Sequence, residues 1–367
     1  MSTLSRLIET SIAENKFSAC SIGVQKFNKS PLFLNFGHTS TDRKQVVTEN
    51  SFYDLASLTK AIFTTTLVAK LFEEKKVPLN IPLGQIKTFD SKIISHIKNS
   101  QYLQATVEDL LLHVAGFQAI AEYTKICPDI PKKPGTYSEE VSAKLIECAS
   151  KVEPRAAIKE KTIYSDLGFI FLIEILCMHF QKSAEELWAH YIQKPMNLKA
   201  IKPGSALQKN DDFVLSVPGM PAGTLYDPAE RYLGKLCGHA GLIGTLKETM
   251  NFGAVWLEGY LHGNAFIKKE IAHMFVDPYL LHERRLGWDG VSENSTAGDI
   301  SKNAIGHLGY TGTSIWIDLD REMVVTLLTN RTLTQIKHAD DFIPTEQKLA
   351  FNELRRDIHN EIWRMYA

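Results

Sequence analysis

The chain has 367 residues, 44% of them hydrophobic and 23% charged, which is enough apolar material for a large core and a soft expectation of two domains. A net charge of −1 and the lack of a sustained basic patch argue against a nucleic-acid partner or binding to an anionic membrane. No stretch approaches the roughly 18 apolar residues of a membrane span. The first twenty residues lack a basic segment followed by an apolar core, so they do not read as a signal peptide, and a cytoplasmic location is expected. Leu4, Leu7, Ile8 and Ile12 instead fall at helical spacing.

Two strands follow, CSIGVQKFN and PLFLNFGH, joined by a turn around Asn28 to Pro31. DLASLTKAIFTTTLVAKLF (54–72) reads as a buried helix. Further helices are expected at 106–117 behind a Thr cap, at 138–152 behind a Ser cap, at 165–180 and at 183–196. Proline and glycine mark loops at 128–135 and 203–223. TSIWIDLD (313–320) and EMVVTLLTN (322–330) form a tight hairpin signal, and a charged helix closes the chain at 346–366. Strands near both ends with helices between predict a sheet assembled from distant parts of the chain, with a helical insertion.

The cysteines, Cys20, Cys127, Cys148, Cys177 and Cys237, are odd in number and form no CxxC pair. They are read as reduced core thiols, with neither a metal site nor a cofactor implied.

Lys60 stands three residues after Ser57 at the start of an apolar helix, where the macrodipole and burial both oppose a cation. That placement makes sense if the amine, its pKa depressed, takes the hydroxyl proton of Ser57, with nearby backbone N–H groups stabilising a developing anion. The alternative is a capping serine. A second Ser-x-x-Lys, Ser95 to Lys98, lies in a polar stretch and is discounted. In KTIYSDLGF (161–169), Tyr164 precedes Asp166 by two residues. A phenol held partly ionised by a lysine serves as a general base, and Asp166 can orient the lysine and cap the helix. In IGHLGYTGTSIWID (305–318), glycines open the backbone where a strand begins. There the Tyr310 N–H can complete an oxyanion hole with that of Ser57, and His307 can bond a substrate oxygen or Tyr164.

These three stretches, in this order, resemble the signature motifs of the serine β-lactamase and penicillin-binding-protein superfamily. The Tyr-x-Asp form of the middle motif resembles its class C-like branch, with family VIII esterases and D-amino-acid peptidases. LLLHVAGF (110–117), GHAGLIGT (238–245), RLGWDG (285–290) and VVTLLTNR (324–331) also look like recurring family phrases, so the resemblance runs over nearly the whole chain. It implies an α/β fold: an antiparallel sheet flanked by helices, from residues 1–75 and 240–367, plus a mainly helical domain at 76–239, with the active site between them.

The resemblance further implies Ser57 as nucleophile, Lys60 as its proton partner, Tyr164 as general base and Asp166 at the family's Asn/Asp position. Tyr310 would lend the second oxyanion N–H, and His307-Leu308-Gly309 stands where lactamases carry Lys-Thr-Gly. His307 and Leu308 thus replace a cation and a hydroxyl that recognise a carboxylate. Losing such a charge-assisted contact costs about 1.5–3 kcal/mol, so poor penicillin turnover is expected. Arg331 is a candidate replacement cation, although a surface arginine is the preferred reading, and His239 reads as a structural turn histidine. The expectation is a metal-free serine hydrolase acting on a small ester, amide or short peptide, esterase- or amidase-like. A β-lactamase or a D-amino-acid peptidase (DD-carboxypeptidase) is the alternative, and a non-catalytic scaffold of the same fold is the alternative of another class.

Overall fold

The structure is a computed structural model that describes residues 2–120, 122–128, 130, 135–278, 284–293 and 295–366. Strands β1 (Ala19–Lys26), β2 (Leu32–Gly37), β3 (Tyr53–Asp54), β4 (Ile201–Pro203), β5 (Leu242–Gly244), β6 (Asp289–Gly290), β7 (Ala304–Leu308), β8 (Ser314–Asp318) and β9 (Met323–Thr329) make two sheets. The larger has the order β2-β1-β9-β8-β7-β6 and is antiparallel throughout. The smaller has the order β3-β5-β4.

The expected hairpin is β8–β9, with Ser314 opposite Leu327 and Asp318 opposite Met323. β9 alternates between two cores, as a strand buried on both faces must. Met323, Val325 and Leu327 join Leu4, Ile8, Phe351, Ile358 and Trp363 on one face. Val324 and Leu328 meet Met250, Phe252 and Trp256 of the helix Leu246–His262 on the other. That helix lies close to the sheet at Gly253, where a Cβ would fall 2.7 Å from Val324 and 2.9 Å from Ile315. The predicted antiparallel sheet flanked by helices is therefore the observed architecture.

Several boundaries differ from the sequence expectation. The run at 54–72 is not one helix from its first residue. Tyr53–Asp54 pair with β5, the chain turns at Ala56 with φ 47°, and a π-helical segment, Lys60–Thr65, leads into the α-helix Thr66–Glu73. The helix expected over 106–117 stops after Val107–Leu111, whose Thr106 and Asp109 form a reciprocal capping box. Of the loop expected at 128–135, residues 129 and 131–134 lie outside the described residues. Among the described residues no single helix is long and apolar enough to cross a membrane.

The cysteine reading needs correction. Cys127 and Cys148 form a disulfide across 21 residues, and the other three thiols are free and buried. The bond ties the end of the short helix Tyr123–Ile126 to the helix Glu139–Lys151. Closing a loop of that length stabilises by about 3 kcal/mol. A reductant should therefore lower the urea midpoint of the wild type and leave that of Cys148→Ser unchanged. An unmoved wild-type midpoint would refute this.

Candidate active site

Two turns from opposite ends of the sequence are laced together around Ser57. The Asp54 carboxylate accepts from Ala56 N at 2.9 Å and from Tyr226 N at 2.8 Å, which pins the left-handed turn at Ala56 ahead of the serine. The carbonyls of Asp54 and Leu55 accept from the hydroxyls of Thr311 and Thr313 at 2.9 and 3.3 Å. Gly309 is required there, since a Cβ would sit 1.9 Å from Thr313 Oγ1 and 3.0 Å from the Leu55 carbonyl. Ser57 and Tyr310 thus line one cavity of about 730 Å³. Among the described residues neither Ser57 N–H nor Tyr310 N–H donates to a protein acceptor, the state an oxyanion hole requires.

Lys60, fully buried, is the hub. Its Nζ donates to Asp166 Oδ1 at 2.6 Å, to Ser57 Oγ at 3.1 Å and to the His239 carbonyl at 3.4 Å. It also lies 4.7 Å from the centroid of the Tyr164 ring. Arg284 approaches the same ring at 5.1 Å while paired with Asp289. The His113 ring packs tilted against Tyr164 with centroids 4.7 Å apart, and its Nδ1 accepts from Ser165 N at 2.9 Å. Asp166 is not the helix cap, because Ser165 caps Asp166–Phe180 through Gly168 N, and this frees the Asp166 carboxylate for the lysine.

The titration directions depart from the sequence expectation. Burial alone would lower Lys60, but Asp166 and Tyr164 outweigh it and the ammonium is held above the ordinary lysine value. Burial raises the Tyr164 phenol, and Lys60, Ser57 and their hydrogen bonds only partly offset it. Both directions favour an ammonium beside a neutral phenol over an amine beside a phenolate.

Sequence reasoning missed Asp227 and Arg284 and underrated His239. His239 lines the cavity, with Nε2 2.9 Å from Asp227 Oδ1. Burial opposes ionisation of Asp227, but His239 prevails and lowers it to about 2. Donor atoms of Asp166, Asp227 and His239 lie within 4.8 Å of one another, the spacing of a cation site, and the cation beside them is the Lys60 ammonium. No motif spacing signals Asp227; its Asp-Pro step shows only the cap of the helix Pro228–Leu233.

Other predicted site residues stand apart from the cavity lining. His307 is 1% exposed, and its Nδ1 is 3.0 Å from the Leu308 carbonyl. Leu308 packs against the core beneath the sheet. Arg331 is neither a surface arginine nor a cation in the cavity. It is 4% exposed, donates from Nε to the Tyr310 carbonyl at 2.7 Å and lies 4.6 Å from the Phe351 ring centroid. Its role here is to hold the Tyr310 peptide.

His307 gives a testable pH dependence. Burial lowers it from 6.5 to about 4, so between those values the unfolded chain binds a proton that the folded chain refuses. Its contribution is complete above pH 6.5 and falls by about 3 kcal/mol as pH drops toward 4. Burial raises Asp54 to about 6 and Glu230 to about 8, and these act in the opposite sense over the same range. The measurement is therefore the difference between wild type and His307→Gln in urea unfolding at pH 7.5 and pH 5. The wild type should lose more stability than the variant; equal losses would refute the assignment.

An antiparallel sheet carrying Tyr310 at one turn, with Ser57 and Lys60 on the element that faces it, defines an α/β protein of the β-lactamase and transpeptidase kind. The Beta-lactamase family model matches residues 4–343, and the chain belongs to that family. A Salmonella gallinarum protein named "Putative D-alanyl-D-alanine carboxypeptidase" is 30% identical over 317 residues, covering 77% of this chain and 70% of that one. Solved structures share the fold. The hydrolase EstCE1 superposes with a TM-score of 0.71 at 14% identity, over 96% of this chain and 97% of that one. The D-amino acid amidase of Ochrobactrum anthropi SV3 gives 0.71 at 15% identity over the whole of both chains, 100% of each. A class C beta lactamase from Rhodobacter sphaeroides gives 0.70 at 15%, over 99% of each chain.

Proposed function

We infer that the protein is a serine hydrolase that cleaves an ester or amide through an acyl-enzyme on Ser57. The observation that carries this reading is Lys60 Nζ, held 3.1 Å from Ser57 Oγ and 2.6 Å from Asp166 against the face of Tyr164, at the wall of a large cavity. Ser57 Oγ attacks the carbonyl carbon. Its proton passes to the Lys60–Tyr164 pair, which must first carry one proton fewer than at rest. The oxyanion accepts from the Ser57 and Tyr310 N–H groups. Collapse expels the leaving group, which takes the proton back, and water repeats the sequence on the acyl-enzyme.

Esterase or amidase chemistry is favoured over β-lactam hydrolysis because His307, neutral and buried, supplies no cation where lactamases carry lysine. The second reading is a D-amino-acid carboxypeptidase, supported by the name of the curated relatives and by Arg284 beside Tyr164. A fluorophosphonate should label wild type and not Ser57→Ala. A panel of p-nitrophenyl esters, a chromogenic cephalosporin and D-Ala-D-Ala peptides then ranks the substrates. Equal label on both proteins would end the serine reading, and fast cephalosporin turnover would end the ranking.

A further inference from the structure

The cavity that holds Ser57 is apolar over most of its wall, where Pro228, Ala229 and Tyr232 face it. At its mouth stand Ile120 and Phe342, 56% and 57% exposed, contributed by loops far apart in the chain. Large apolar side chains left this exposed are unremarkable when scattered singly, but two on the rim of one apolar cavity mark a place where something apolar is covered. Several of the charged side chains nearby are paired, while Lys348 on the same wall lies over the Tyr310 ring at 5.3 Å. Arg231 pairs with Asp340 at 2.6 Å, and Glu122 pairs with Lys125 at 2.6 Å. A neutral hydrocarbon entering there strips no unpaired charge from those residues.

We propose that the site takes esters of long, unbranched fatty acyl groups, with the chain running from Ser57 past Pro228, Ala229 and Tyr232 and leaving the cavity between Ile120 and Phe342. The proposal rests on Ser57 as the acylated residue. In the transfer, the Ser57 Oγ–acyl carbon bond forms, the bond to the leaving oxygen breaks, and that oxygen takes the serine proton. Water then releases the fatty acid. A cavity of about 730 Å³ has the volume of sites for drug-sized ligands, far more than an acetyl group fills. Each further methylene buried in it should raise kcat/KM about fourfold.

The test uses p-nitrophenyl acetate, butyrate, octanoate and decanoate, each below its micelle concentration, with wild type and the double variant Ile120→Asn/Phe342→Asn. Both positions are exposed, so folding should be unaffected, which a thermal melt checks. kcat/KM should climb from acetate to octanoate in wild type. The double variant should lose about tenfold on octanoate and stay within twofold on acetate. A flat or falling series in wild type, or equal losses on both esters, overturns the proposal. Calorimetric titration of Ser57→Ala with acetate and octanoate esters reads the acyl pocket without turnover. Tighter binding of the longer ester with no ester of the panel cleaved would leave an acyl-binding pocket but sink the acyl transfer from Ser57, and the hydrolase reading with it. Equal binding overturns the proposal. Sedimentation with phosphatidylcholine vesicles that depends on Ile120 and Phe342, with a flat ester series, would assign the rim to a lipid surface and also overturn it.

Discussion

Ser57→Ala is expected to lower kcat about 10⁴-fold or more on any ester or amide the wild type cleaves. The size follows from what remains after the change. The oxyanion donors and the cavity persist, and they supply binding and part of the electrostatics, but no atom is left to form the acyl-enzyme. Stability should scarcely move, because Ser57 is only half-buried and Lys60 keeps its bonds to Asp166 and the His239 carbonyl. Lys60 is a different case. Lys60→Ala would strand the Asp166 carboxylate beside a void, whereas Lys60→Met fills the space and removes the charge. Removing one partner of a buried pair is destabilising, but Asp166 keeps solvent, with a side chain 23% exposed, and this limits the cost. Lys60→Met should therefore be as inactive as Ser57→Ala and remain folded. Substantial turnover by either variant, measured against active-site-titrated wild type, would remove Ser57 and Lys60 from the chemistry.

Tyr164→Phe is expected to cost about 10² to 10⁴ in kcat/KM, the range for losing a positioned proton acceptor. The ring stays, so its contacts with His113, Lys60 and Arg284 stay, and the melting temperature should hold. The same geometry sets the wild-type pH profile. Both the phenol and the ammonium are held above their ordinary values of 10.0 and 10.5. The reactive form lacks one proton of the pair, so its population grows tenfold per pH unit below those values. log kcat/KM should rise with a slope near one from neutral into alkaline pH. The apparent value belongs to the coupled pair and not to either residue. A bell-shaped profile centred near pH 7, or a loss below about tenfold in Tyr164→Phe, would show that another group takes the proton.

Much of this candidate site was readable because its motifs are local. Ser57 and Lys60 are three residues apart, and Tyr164 and Asp166 two, so each pair declares itself before any fold is known. The hairpin of β8 and β9 was readable for a similar reason: its apolar residues are contiguous and its turn is short. What escaped reading depends on partners brought from afar. Arg284 and Asp227 are single residues without a spacing signal, and only the folded chain sets one over Tyr164 and the other against His239. The Cys127–Cys148 bond was missed because nothing in a 21-residue separation announces that a four-residue helix will rest beside Glu139–Lys151. The helix start at 54–72 was misplaced because apolar periodicity ignored Asp54, whose carboxylate bends the chain at Ala56. Strands of two or three residues, such as β4 and β6, are too short for any period to show.

The place of β1 between β2 and β9 bears on how the protein is made. During synthesis the first hairpin emerges early and must wait until residues 323–329 leave the ribosome before its inner edge is covered. Until then a nascent chain presents the backbone groups of β1, and the apolar side chains of Ile22 and Val24, to whatever else is nearby. Chains halted before β9 should collect in insoluble material, and a chaperone that shields strand edges should raise the yield of full-length protein more than any substitution at Ser57.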